Sequence, residues 1–205
     1  MSYFDFYNIP ISFKVDAAAL KQTFYANSKK YHPDFFTMES VEKQAEILEL
    51  STLNTQAYKT LSNFDARMKY ILELKNVLAD EGKNTIPQDF LIDMMDINEA
   101  LMELEFDFDP QAYQKVLSDV NSIENQQFTT IQPLIENYQN EENKGGNTVT
   151  PERDDDGAEA PSSQRHDKSV KAGQATLEEI KKYYLKKRYL LRIRENLSKF
   201  ASLLK

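Results

Sequence analysis

The stretch NSKKYHPDFF, residues 27–36, places an imidazole and a carboxylate on either side of a proline. His32 and Asp34 are acid–base residues, so one chemistry open to them is proton transfer. The other is recognition. His32 can donate or accept one hydrogen bond, Asp34 can accept a bidentate arginine, and Pro33 fixes the backbone between them so that little entropy is lost on binding. A catalytic dyad would also need a nucleophile and an oxyanion site, and no G-x-S-x-G or similar motif occurs. Two bland readings compete: the tripeptide as a mere helix stop, and the neighbouring Lys21, Lys29 and Lys30 as an ordinary solvated face. The lysines sit on the helix that runs into the turn, where they would steer an acidic partner by salt-sensitive attraction. Docking, not catalysis, is the expectation, and the chain is not read as an enzyme.

Composition narrows the field. The 205-residue chain has no cysteine, which excludes disulfides, iron–sulfur ligation and zinc–thiolate sites on its own side chains. With two histidines, His32 and His166, a histidine-built metal site is not expected, and no cofactor motif is present. No apolar run approaches membrane-spanning length, and the N-terminus MSYFDFYNIP carries no targeting segment, so a cytoplasmic protein with no membrane partner is expected. The net charge is −8, yet residues 176–205 hold nine Lys/Arg against three Glu, and Gln88 to Pro110 holds eight acids and no base. Such acidity argues against a nucleic-acid partner. Acidic and basic helices packed side by side are the simplest account.

The elements that must position these residues are helices, because no segment alternates with period two and Gly/Pro punctuation is sparse. The pattern predicts a helix over 17–31, N-capped by Asp16, with Ala17, Leu20, Phe24 and Tyr31 inward. Pro33 ends it, since the residue before a proline is disfavoured in the helical region. A second helix over about 40–61 would turn Val41, Ala45, Leu48, Thr52 and Tyr58 inward. A short third, 65–74, would use Met68, Ile71 and Leu72. Tyr31 and Phe35 are expected to pack in the core or loop. Residues 1–75 thus read as one helical-hairpin domain, and 76–87, with Gly82 and Pro87, as a linker.

Residues 88–205 read as a second domain of three helices. Phe90, Met94, Ile97, Leu101, Leu104 and Phe108 recur at intervals of 4, 3, 4, 3 and 4 on one expected helix. Asp109-Pro110 reads as N-cap and N1 of the next, to about Tyr138, with Tyr113, Leu117, Val120, Ile131 and Tyr138 inward. Residues 140–175 hold four of the five glycines and no aromatic, which predicts a disordered insert. Thr176 and Glu179 read as a capping box opening a last helix to about Leu204, with Ile180, Tyr184, Leu197 and Phe200 in the core. The first of these helices carries a spare stripe of Leu91, Met95 and Met102, with Ile92 beside it. It is either buried against the first domain or a partner surface with an acidic rim of Asp96, Glu99 and Glu103.

His32-Pro33-Asp34 between two amphipathic helices, followed by AYKTLSNFDARMKY, makes the first 75 residues similar to a J-domain. With the opening YFDFYNIP and the helical C-terminal part, the whole chain resembles the HscB-type J-domain co-chaperones of iron–sulfur cluster biogenesis. The resemblance implies an all-α fold: an N-terminal J-domain hairpin plus a C-terminal three-helix bundle. It implies that the His-Pro-Asp loop docks on an HscA/DnaK-class ATPase chaperone and stimulates its ATP hydrolysis. It also implies that Leu91, Ile92, Met95, Asp96, Glu99, Glu103 and Tyr189 bind the cluster scaffold IscU, with Asp96 shorter than the Glu usual there. The four-cysteine extension of animal members is absent, so a bacterial protein is expected. A general-proteostasis J-protein that self-associates, as a homodimer, through its acidic helices is the alternative.

Overall fold

The computed structural model describes residues 1–80, 82–145 and 163–201, with side chains of the two longest helices described only up to Tyr138 and from Gly173. Among the described residues the secondary structure is helical with no strand. The chain divides into two compact units, Met1–Lys75 and Asn76–Lys205.

The first unit contains α1 (Tyr3–Tyr7), α2 (Ala17–Lys30), a 3₁₀ turn (Pro33–Phe36), α3 (Val41–Ser62) and α4 (Phe64–Leu74). Short polar residues begin each helix, as orphan N–H groups require. Asp16 accepts from the N–H groups of Ala18 at 2.8 Å and Ala19 at 3.1 Å. Ser40 accepts from Lys43 N–H and Asn63 from Ala66 N–H. Ser2 and Asp5 cap α1 reciprocally, and hydrogen bonding from the Ser2 N–H, then from its hydroxyl, holds the Asp5 carboxyl below its ordinary pKa. Phe4, Phe13, Leu20, Ile47, Ala57, Leu61, Met68, Ile71 and Leu72 form the core.

Two buried polar residues tie this core together. Asn54 of α3 accepts from the Tyr7 hydroxyl at 2.8 Å and donates to the Phe24 carbonyl at 3.1 Å and Ser28 Oγ at 3.0 Å. One amide therefore joins α1, α2 and α3. Arg67 of α4 donates from Nε and Nη2 to the Phe13 carbonyl, at 3.1 and 2.9 Å, and from Nη1 to the Leu61 carbonyl. Burial pushes the Arg67 guanidinium down from its ordinary pKa and the Tyr7 phenol up to about 12.

The register expected for α3 is corrected. Val41 and Leu48 are exposed, as are Ala45 and Thr52, and Tyr58 is only half-buried. The inward line is Ile47, Asn54, Ala57 and Leu61. A polar Asn54 in the core line hides it from a purely apolar count. Ala17 at the start of α2 is likewise exposed, whereas Leu20 is buried.

The second unit contains α5 (Gln88–Asp93), α6 (Met95–Phe106), α7 (Pro110–Gly145) and α8 (Ser163–Phe200). The single helix expected from residue 88 is broken at Met94, where neither proline nor glycine marks the break. Its inward stripe survives the break: Phe90, Met94, Ile97, Leu101 and Leu104 are buried and Phe108 packs against them, with Tyr113, Val116 and Val120 from α7 and Leu190, Ile193, Leu197 and Phe200 from α8. Asp109 caps α7 through the Gln111 N–H at 2.9 Å. Arg194 grips Glu124 across α7 and α8, its Nε 2.8 Å from Oε1, and the carboxylate raises the guanidinium pKa. Helix α7 continues through Gly145 and α8 starts at Ser163, well before Thr176, so Thr176 does not open the helix. The rest of the expected insert, 146–162, lies outside the described residues.

Candidate docking surfaces

The first candidate surface is the end of α2. Tyr31 closes the helix, its N–H bonded to the Asn27 carbonyl at 2.8 Å. His32 is extended, φ −74° and ψ 120°, as a residue before proline must be. Pro33 then starts the 3₁₀ turn, where its missing N–H costs nothing. The turn fixes its own imidazole. His32 Nδ1 accepts from the Asp34 N–H at 3.3 Å, and the imidazole lies 5.4 Å, centroid to centroid, from the Phe35 ring. With Nδ1 occupied as an acceptor, Nε2 carries the ring's N–H. The Asp34 side chain is 84% exposed, with no partner closer than the imidazole at 3.8 Å.

Lys21, Lys29 and Lys30 are all exposed on α2. The Lys21 and Lys30 ammonium groups lie 6.0 and 5.0 Å from the Tyr25 and Tyr31 ring centroids. The structure therefore groups the lysines of the last turn with His32, Pro33 and Asp34, and sets Lys21 further back along the same helix. Phe35, expected to pack, is 67% exposed, and Met38 just beyond it is 97% exposed. Single-residue polarity gave no warning of these, because an apolar residue in a turn defaults to burial.

The second candidate surface lies on α5 and α6. Leu91, Ile92 and Met95 are exposed, as are Asp96, Glu99 and Glu103. The stripe is opposite the buried line of Ile97, Leu101 and Leu104 on α6. Tyr189 of α8 is half-buried: its ring meets Phe90 edge-on at 5.7 Å, and its hydroxyl accepts from Asn98 Nδ2 at 2.7 Å. Asn98 was not singled out in the sequence, yet it is what fixes the Tyr189 hydroxyl against α6. The described residues also line an open cleft of about 490 Å³ between α5, α7 and α8, walled by Phe90, Met94, Ile123, Ile131 and Leu134.

Residues 86–144, which include α5, α6 and nearly all of α7, match the family model described as the HSCB C-terminal oligomerisation domain. The chain is 33% identical over 102 residues to the co-chaperone protein HscB homolog of Psychromonas ingrahamii, an alignment covering 49% of this chain and 60% of that one. It is 32% identical over 103 residues to the Acinetobacter baumannii homolog, covering 50% and 57%. The sequence likeness is to HscB co-chaperones, and the family-model match covers residues 86–144 of the chain. The aligned stretch spans about three fifths of the length of these curated relatives. The fold agrees over a greater length. Chaperone HscB from Vibrio cholerae superposes with a TM-score of 0.54 at 20% identity, covering 96% of this chain and 99% of that chain. Human co-chaperone HscB gives 0.57 at 24% identity, covering 97% and 81%. At those identities the likeness is one of fold, and it is the all-α HscB fold.

The described residues contain no group of three or more His, Cys, Asp or Glu side chains able to hold a metal ion, and no helix long and apolar enough to cross a membrane.

Proposed function

We propose that this chain is a J-type co-chaperone of the HscB kind. Its first unit docks on an HscA/DnaK-class chaperone and stimulates ATP hydrolysis, and its second unit presents the iron–sulfur scaffold IscU to that chaperone. The observation that carries the reading is the turn after α2. His32 and Asp34 are exposed, the imidazole is held by the Asp34 N–H, and lysines precede them. A preorganised turn gives up little entropy on docking. Asp34 offers both carboxylate oxygens to an arginine, and His32 Nε2 offers one donor. No nucleotide chemistry is asked of this chain; it acts by favouring one state of the ATPase.

On the second unit, Leu91, Ile92 and Met95 supply apolar anchors, and Asp96, Glu99 and Glu103 an acidic rim, the usual anatomy of a docking patch. Tyr189, steadied by Asn98, borders α6. The test has two arms: single-turnover ATP hydrolysis by the chaperone with and without this protein, and titration of IscU into it. Absence of both effects would refute the proposal. A second reading, self-association through the second unit, is favoured by the matched model's description as an oligomerisation domain. Sedimentation of the purified chain distinguishes it.

A further inference from the structure

The exposed apolar line on α6 does not stop at Met95. Met102 is 70% exposed and Phe106, the last residue of the helix, is 95% exposed. At about 100° per residue, Met95, Met102 and Phe106 fall within about 40° of one another around the helix. At 1.5 Å per residue they extend over roughly 16 Å of its length. On one side of this ridge Glu99, Glu103 and Asp96 follow in sequence around the helix. On the other side stands Asn98, which carries the Tyr189 hydroxyl. The opposite side is the buried line of Ile97, Leu101 and Leu104.

An exposed phenylalanine and methionine on an otherwise acidic helix add nothing to the core that the buried line already supplies. Gln88 to Pro110 holds eight acids and no base, so whatever covers the ridge must bring its own positive charge. From this we infer that Met102 and Phe106 carry the apolar anchors of the proposed scaffold-binding face about three turns of α6 beyond Met95, and that they receive an apolar segment of the scaffold protein flanked by lysine or arginine. The inference rests on the reading of this face as the scaffold site. Met102 and Phe106 are the distal anchors, Leu91, Ile92 and Met95 the proximal ones, and the carboxylates between them set orientation and encounter rate.

Isothermal titration of IscU into the full chain, at low and at moderate salt, tests this with three variants. L91A/I92A/M95A reads the proximal face, M102A/F106A the distal one and E99Q/E103Q the charge. The expected result is at least a tenfold weaker Kd for M102A/F106A with unchanged helix content and unfolding temperature, and a shallower salt dependence for E99Q/E103Q. If the proximal variant loses binding and M102A/F106A stays within twofold of the parent, the inference is overturned while the site reading stands. If neither variant loses affinity, both are overturned. A fall in unfolding temperature for M102A/F106A also overturns the inference, because it would show these side chains packed and not presented. An unaltered salt dependence in E99Q/E103Q overturns the basic character assigned to the partner segment.

Discussion

Replacing Asn54 by alanine should cost the first unit roughly 2–4 kcal/mol, and the figure follows from what each partner does afterwards. Asn54 is 1% exposed and makes three hydrogen bonds, to Tyr7, Phe24 and Ser28. None of these groups is left wholly without a partner by the truncation. The Tyr7 hydroxyl already lies 3.1 Å from the main-chain carbonyl of residue 54, and Ser28 Oγ keeps its 2.8 Å bond to the Phe24 carbonyl. The loss is then about 1 kcal/mol of net worth per bond, plus a small void, without the larger penalty of orphaned buried groups. Asn54→Asp should be worse despite its closer shape. It keeps the Tyr7 acceptor, but its carboxylate faces a carbonyl where the amide had donated, and an uncompensated buried charge costs about 3–5 kcal/mol. That buried carboxyl would have a folded pKa above its unfolded value near 4, so the extra loss should be absent in acid and grow as pH rises through that range. Native-state hydrogen exchange of α2 and α3 amides reads this unit separately from the other. A loss under about 0.5 kcal/mol for Asn54→Ala, or an Asp variant as stable as the parent at neutral pH, would refute the role given to this amide.

His32→Gln and Asp34→Asn should each abolish chaperone ATPase stimulation in single-turnover assays while leaving the circular dichroism spectrum unchanged, since both side chains lie outside the core. Burial raises the Tyr7 pKa from 10.0 to about 12, so stability from the neutral phenol is complete below pH 10 and is lost as pH climbs toward 12. Ultraviolet titration should show a late tyrosine that Tyr7→Phe removes. Glu124→Gln should cost the second unit no more than about 1 kcal/mol, and less in high salt, because its pair with Arg194 is partly exposed. Denaturant unfolding at two salt concentrations checks it. Phe90→Ala should cost about 3–5 kcal/mol in the same assay, since Phe90 is 2% exposed among Met94, Ile97 and Tyr189.

The helical class and the inward line of α5, α6 and α8 were legible because apolar spacing there matches the helical period without a polar intruder. The spare stripe was legible for the same reason: Leu91, Met95 and Met102 are surplus to one buried face. Phe106 was not: the stripe read on that helix ran to Phe108 and passed Phe106 over, whereas α6 ends at Phe106 and leaves it exposed. The register of α3 was misread because its core line contains Asn54, whose burial depends on partners on α1 and α2. Arg67 was invisible on similar grounds: a buried guanidinium is recognised by the carbonyls it meets, and Phe13 is far away in sequence. The break at Met94 carries no residue-level signal at all. Thr176 and Glu179 show the converse, a capping pattern that the helix runs straight through.

The first unit closes on its own beginning. Tyr3 donates its N–H to the Tyr70 hydroxyl at 2.9 Å, and their rings stack at 4.6 Å, across 67 positions of sequence. During synthesis the N-terminal helix and the basic helix are made long before the residues that clamp them. Phe4 and Tyr7 wait for Asn54 and Tyr70, and the Phe13 carbonyl waits for Arg67. The docking turn at residues 32–34 therefore exists as sequence well before it exists as a shape. A growing chain halted short of α4 would carry the tripeptide yet lack the scaffold that holds α2 in place. If the turn docks on a chaperone as proposed, topology alone would disfavour premature engagement by an unfinished chain.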